Sequence, residues 1–378
     1  MLIRKYSMIS DFLTPLSTLS QYENYQIGAN IIRYVSDFPS LENCSLALVG
    51  IQKDKLIQEA EATESIRNEL YKLSFNPMLK SKMLDLGNIV GGEQFSDTEL
   101  ALKEVVKHLV NHGITVLIIG HTAELAQCIY EGCLDLSHNL DLTFVSSKLP
   151  LLDGEVLSRI CQMRPNQLFN INALAYQSHF IPFKSQDILT KLNFSQLRLG
   201  SLKAKLEDAE PLIRNSHLFI FDIDALKYSE SPASSFASPN GLDGDQACKL
   251  GYYGGVSDLT QVFALFGMDS QLDVRNQSAK LSAQMFWYFM EGFASRVNDH
   301  PGKHDEFMKY RCNIDQRHHD LIFHKSKRTS RWWMEVPNPK SLNNADRNVI
   351  VPCSYADYQA AANGEIPDRY LSTVQKMH

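Results

Sequence analysis

The run Phe221-Asp222-Ile223-Asp224 is the strongest chemical signal in the chain. It closes an apolar stretch beginning at His217 that reads as a buried strand. Residues two apart on a strand project to the same side. Asp222 and Asp224 would then face one another and repel unless a cation, a base or water stood between them. An oxygen-rich site of that kind suits Mg, Ca or Mn. Taken alone, Asp-x-Asp is explained more readily by one carboxylate capping the following loop while the other faces solvent.

Other reactive residue types form weaker patterns. His318 and His319 are adjacent, with His324 beyond; neighbours on a strand point to opposite faces and rarely chelate one ion. Trp332 and Trp333 beside Arg331 are read first as an anchor for the C-terminal segment and second as a stacking surface. Lys325, Lys327, Arg328 and Arg331 form a basic cluster that reads as a solvated face. No G-x-S-x-G elbow supports a serine hydrolase, and Gly91-Gly92 does not begin a dinucleotide fingerprint. The seven cysteines include no CxxC pair, and an odd number suits reduced thiols in a cytoplasmic protein better than a disulfide framework.

The elements that would position these residues alternate. Apolar runs at Leu46 to Ile51, Met83 to Gly87, Ile114 to Gly120, Leu142 to Ser146, Leu168 to Ala173, Gln196 to Leu199, His217 to Asp224 and Val262 to Phe266 read as strands. Helical spacing is expected over Asp54 to Leu73, Asp97 to Leu109, Glu124 to Tyr130, around Leu157, Asp245 to Gly251 and Ala279 to Phe293. The Met285–Met290 stretch of that last helix is apolar on nearly all sides, so it is assigned to the core first and to a subunit interface second. A Ser-, Pro- and Gly-rich loop separates Ser229 from Gly244, and short strand patterns recur at Leu321 to His324 and Arg331 to Val336. Strands alternating with helices imply a mostly parallel sheet covered on both faces. Ligands then gather beyond the carboxyl ends of the strands.

The bulk numbers set outer bounds. The 378 residues are 44% hydrophobic and 21% charged, ordinary for a globular chain. A net charge of -6 argues against a general nucleic-acid or anionic-membrane binder. No apolar run reaches the roughly 18 residues needed to span a bilayer, and Ser7, Ser10 and Asp11 interrupt any leader-like core. The expectation is a cytoplasmic protein with no nucleic-acid and no membrane partner.

The succession Val49-Gly50, Ile118-Ile119-Gly120, Phe144-Val145-Ser146 and Phe221-Asp222-Ile223-Asp224 resembles the strand series of the arginase, agmatinase and formimidoylglutamase family. The likeness is best in FDIDALKYSESPASSFASPNGLDGDQACKLGYYGG, continues through Gln277 to Leu281, and covers roughly residues 45 to 295. The tail segments RWWMEVP and PCSYADY resemble the divergent, formimidoylglutamase-labelled branch. The resemblance implies an α/β fold, three-layer α/β/α with a mostly parallel sheet, arginase-like. Residues 1–300 would form that domain, and residues 301–378 a C-terminal extension packed on it.

The resemblance also implies a reaction. Such enzymes hydrolyse guanidino or formimino groups with hydroxide held between two Mn ions, because metal binding lowers the pKa of water. Their ligand motifs are degraded here. Gly-Gly-Asp-His-Ser becomes Gly120-His121-Thr122-Ala123-Glu124, so Ala123 replaces the ligand His while His121 stands nearby. Asp-Ala-His-x-Asp becomes Ser146-Ser147-Lys148-Leu149-Pro150, so Ser146, Lys148 and Pro150 replace three ligands. Asp222 and Asp224 remain, and the substrate-side Glu has no counterpart except Asp269.

The resulting expectation is a pseudoenzyme or an assembly scaffold with no cofactor, in which a Lys148 ammonium pairs with Asp222 or Asp224. The alternative is an active amidinohydrolase using Mn at a rearranged site of His121, Glu124, Asp222 and Asp224. A metal-free small-molecule binder, with Lys148 holding an anionic group, is a third. A homo-oligomer and an unidentified protein partner are the expected associations.

Overall fold

A computed structural model describes residues 9–17, 20–51, 60–79, 83–92, 94–303, 305–314, 320–338 and 348–377. His318 and His319 lie outside the described residues, as do the first turns of the helix expected from Asp54. The strands are Leu13–Thr14 (β1), Ile32–Arg33 (β2), Leu46–Ile51 (β3), Met83–Ile89 (β4), Thr115–Ile119 (β5), Leu140–Val145 (β6), Leu168–Leu174 (β7), Ser195–Leu197 (β8), Leu218–Asp222 (β9) and Val262–Phe266 (β10). Four more follow: Phe307–Asn313 (β11), Asp320–Ser326 (β12), Trp332–Pro337 (β13) and Asn348–Cys353 (β14).

Every residue of β3, β4, β5, β6 and β10 is buried. That is why β3, β5 and β10 read as nearly unbroken apolar runs, whereas β4 and β6 also bury the polar residues Asp85, Asn88, Asp141 and Thr143. Alternate residues feed opposite faces. Val116 and Ile118 of β5 join one core with the helices Phe95–Asn111, Ala126–Gly132 and Val156–Gln162. Leu117 and Ile119 join the other with the helices Ala60–Tyr71, Gly244–Val256 and Gln277–Ala294. Each fully buried Leu, Ile or Val contributes about 1.5–3 kcal/mol relative to exposure. The result is the expected three-layer α/β/α arrangement. The sheet order is β1-β4-β3-β5-β10-β9-β6-β7-β8, with β2 also on β4; all pairings are parallel except β1 with β4.

Several boundaries differ from the sequence reading for local reasons. The helix from Phe95 starts before Asp97, whose carboxylate accepts the Gln94 N–H at 3.1 Å, so Asp97 sits inside the first turn rather than at the cap. The helix expected from Glu124 opens as a 3₁₀ turn, Ala123–Leu125. Leu199, expected in a strand, begins a helix that runs to Ala204. The strand ending in the two carboxylates stops at Asp222, and Ile223–Ala225 is a 3₁₀ turn.

The apolar helix Gln277–Ala294 buries Met285, Phe286, Phe289 and Met290 and leaves Tyr288 exposed. It lies against Gly244–Val256 at backbone-contact distance. An added Cβ would meet Met285 O at 2.8 Å from Gly251, Phe289 O from Gly255, and Tyr252 O at 2.5 Å from Gly292. Glycine at those positions is what lets the two helices close.

Beyond residue 300 the chain forms a separate antiparallel sheet, β11-β12-β13-β14, backed by helices Tyr355–Ala362 and Asp368–Met377. Leu321, Phe323, Trp332, Met334, Val336 and Cys353 supply its own small core. Arg214 ties this sheet to the main one. Its guanidinium donates to Trp332 O at 3.1 Å and Cys353 O at 3.2 Å, and lies 4.4 Å from the Trp333 ring. The Trp333 ring thus takes part in the anchor, while the Trp332 ring packs inside the extension on Tyr310 and Tyr358. The basic cluster is largely paired: Arg331 with Glu210 at 3.4 Å, Arg328 with Glu306 at 3.4 Å, and Lys325 over Trp332. His324 binds Glu335 at 2.7 Å. All seven cysteines are free, and no helix among the described residues is long and apolar enough to cross a membrane.

Candidate functional site

The strands β5, β10, β9 and β6 are neighbours in the sheet, so the segments leaving their carboxyl ends converge. His121, Ala123 and Glu124 follow β5; Ser146, Lys148 and Pro150 follow β6; Asp222 and Asp224 lie at and after the end of β9; Gly267 follows β10. All of them line one cavity of about 230 Å³, closed on the far side by Ser234, Ser235 and Phe236 of the Ser/Pro/Gly-rich loop. The eight positions assigned to the cleft from the sequence are thus brought to one place, while Asp269 lies outside it.

Their partners are specific. Asp222 Oδ1 accepts the Asp224 N–H at 3.0 Å, so Asp222 caps the turn after β9. Asp224 points inward, with 5% of its surface exposed. Its Oδ1 accepts from the Ser146 hydroxyl at 2.9 Å and from the Ser147 N–H at 2.9 Å, and its Oδ2 accepts from the Ser147 hydroxyl at 2.8 Å. Half of the bland sequence reading therefore holds: one carboxylate is a cap, but the other is buried rather than solvent-facing. Burial holds both carboxyls above the usual carboxylate range. The charge of Asp224 pushes Asp222 further, to well above that range, while the bonds from Ser147 and Ser146 partly offset the rise at Asp224.

The expected ion pair between Lys148 and the carboxylates does not form. The Lys148 ammonium lies over the Phe236 ring, 3.2 Å from its centroid, and reaches Asp222 and Asp224 only as a through-space charge. A cation held on an aromatic face is attracted by the ring quadrupole. Glu124 is engaged as well: Arg159 Nη2 lies 2.6 Å from its Oε2, and the same guanidinium binds Gln127 and the Gly154 carbonyl. Asp269, the first acidic residue after β10, caps a 3₁₀ turn through the Gln271 N–H at 3.0 Å. Among the described residues, no group of three or more His, Cys, Asp and Glu side chains is disposed to hold a metal ion.

Gly267 completes the floor. Its φ of +92° is a backbone region that side chains rarely adopt, and an added Cβ would meet Asp222 Oδ1 at a distance of 2.4 Å. The sequence reading missed Ser147 and Phe236. Ser147 had a signal in its adjacency to Ser146; Phe236 had none, because only the folded loop carries its ring over Lys148.

By sequence the chain matches no family model and no curated protein. By structure it is similar to formiminoglutamase from Trypanosoma cruzi crystallised with Mn²⁺, with a TM-score of 0.62 and 17% identity, covering 72% of this chain and 99% of that one. Formimidoylglutamase from Bacillus subtilis gives 0.59 at 14% identity, over 78% and 94% of the two chains. Arginase from Bacillus cereus gives 0.55 at 12% identity, over 65% and 98%. At these identities the likeness speaks to architecture, and the architecture of this chain is that of the formiminoglutamases and arginases.

Proposed function

We propose that this chain is an arginase-fold binding or assembly scaffold whose cleft no longer hydrolyses amidines. One observation carries the reading: both oxygens of Asp224 are engaged by Ser146 and Ser147. A carboxylate offers about four lone-pair directions, and three are used here. A manganese pair also needs further anionic or imidazole donors. Lys148 brings positive charge to the same wall, Pro150 has no donor side chain, and Glu124 is bound to Arg159. This donor set does not fit the binuclear centre implied by the family resemblance.

The test is metal content together with turnover. Protein purified in Mn-supplemented buffer should carry far less than one ion per chain. It should release neither urea nor formamide from arginine, agmatine, guanidinobutyrate or formiminoglutamate. Two tightly held ions per chain with product release would overturn the proposal.

The second reading, a hydrolase with a single rearranged Mn ion, is favoured by one fact: His121, Asp222 and Asp224 line the same cavity. One ion per chain with product release would select it. In that case Glu124 must leave Arg159. For the scaffold reading, the expected homo-oligomer or protein partner would be found by native mass measurement and by recovery of a stable complex from extract.

A further inference from the structure

The sheet has a second polar cavity at its opposite end, of about 470 Å³, where β6, β7 and β9 begin. The C-terminal extension closes it, through β14 and the helix Asp368–Met377. A cavity of that size is in the range that holds small molecules.

Its polar groups are built into the fold. Asn172 is fixed by Thr143, Ser216 and the Leu212 carbonyl, each at 3.1 Å. Asn172 Oδ1 accepts from Asn170 at 2.7 Å, and Asn170 Oδ1 accepts from the Lys376 ammonium at 2.6 Å. Asp141 is 3% exposed. Its Oδ2 accepts from the Asn215 amide, while its Oδ1 accepts from no described residue. His217 Nδ1 accepts the Asp141 N–H at 3.2 Å, so in the neutral ring the proton sits on Nε2.

Three charged side chains therefore line one cavity: Arg369 is paired with Asp357 at 3.6 Å, while Asp141 and Lys376 keep bonding capacity unused. Lys376 engages one of its three donors, and it acts on Asp141 through space without forming an ion pair. Burial pushes the Asp141 carboxyl up to about 7 and the Lys376 ammonium down to about 8, as it does when no close counter-charge holds a group ionised. Buried charges of this kind are costly unless paired. Phe169, Leu212 and Val351 are apolar lining of the same cavity.

We propose that this cavity binds a small zwitterion of the free α-amino-acid class. The ligand ammonium sits on Asp141 Oδ1, and its carboxylate on Lys376. The His217 Nε2–H is a further donor to the ligand. The site is remote from the Asp222–Asp224 cleft, so the proposal stands or falls apart from the proposed function.

The experiment is a thermal-shift series on the full chain. The probes are the free α-amino acids, each compared with the matching amine lacking the carboxylate and the matching acid lacking the amine. At least one amino acid should raise Tm by several degrees in a dose-dependent manner, with neither single-charge analogue matching it. Lys376→Gln, on a partly exposed helix position, and Asp141→Asn should each weaken the apparent affinity about tenfold or more. Lys148→Gln, in the opposite cleft, should leave it unchanged. Lys376→Gln keeps the test decisive if Asp141→Asn fails to fold. The proposal is overturned if no amino acid shifts Tm, if an amine or an acid alone shifts it equally, or if Lys376→Gln retains the full response.

Discussion

Ser147 grips Asp224 twice, with its backbone N–H at 2.9 Å on one carboxylate oxygen and its hydroxyl at 2.8 Å on the other. In this arrangement the buried aspartate joins the end of β9 to the segment after β6. Replacing it should therefore register in stability. Asp224→Asn is expected to lose about 1–3 kcal/mol, the range for leaving buried hydrogen-bonding groups unmatched. Ser147→Ala should lose about 0.5–1.5 kcal/mol. Urea unfolding curves measure both. An Asp224→Asn variant as stable as the parent would show that the carboxylate does not tie these segments together.

Gly267→Ala tests the floor of the same cleft. The left-handed φ and the close approach to Asp222 Oδ1 act together there. The expected loss is about 1–3 kcal/mol, with the capping carboxylate displaced. Chemical denaturation gives the first number and a crystal structure of the variant the second.

The buried pair Arg67 and Asp85 lies on the other half of the sheet. Their nitrogen and oxygen are 2.8 Å apart, and the side chains are 3% and 0% exposed. Tyr71 donates to the same carboxylate, and Arg67 also reaches Asn88 and the Gly87 carbonyl. Arg67→Met leaves Asp85 charged in a dry setting and should cost about 3–5 kcal/mol. The double variant Arg67→Met/Asp85→Leu should be less damaged than the sum of the two single changes. A double-mutant cycle in guanidinium chloride measures the difference.

Stability should also depend on pH through Asp141, whose carboxyl is raised to about 7 by burial. A folded-state pKa above the unfolded one means that the native state binds the proton more tightly. The stabilising contribution is complete below about pH 4 and fades as pH rises towards about 7. Against the parent, Asp141→Asn should become progressively more favourable across that window, by at most about 1.4 kcal/mol per pH unit. Above it the difference should level off. A flat difference between the two proteins from pH 4 to 7 would contradict the assignment.

The central strands were legible because two-sided burial leaves an unmistakable apolar run, as in Val116 to Ile119. The cleft was legible because parallel-sheet topology sends the residues after β5, β6 and β9 to one end. Less legible was the state of each side chain there. Lys148 was expected on a carboxylate and rests on Phe236 instead, a residue brought in by a loop with no periodicity. The strand β11 was missed because most of its residues are exposed and only pairing with β12 defines it. The second cavity was invisible for the same long-range reason: Asp141 and His217 are 76 positions apart, and Lys376 belongs to the last helix.

The seam at Gly251, Gly255 and Gly292 has a bearing on how relatives of this chain are found. Backbone meets backbone there, so even a methyl group would force the two helices apart. Substitution at those positions is resisted by geometry, whatever becomes of the residues in the cleft. A search profile weighted towards such immovable positions would gather proteins that share a scaffold, and it would be silent about which of them still perform chemistry.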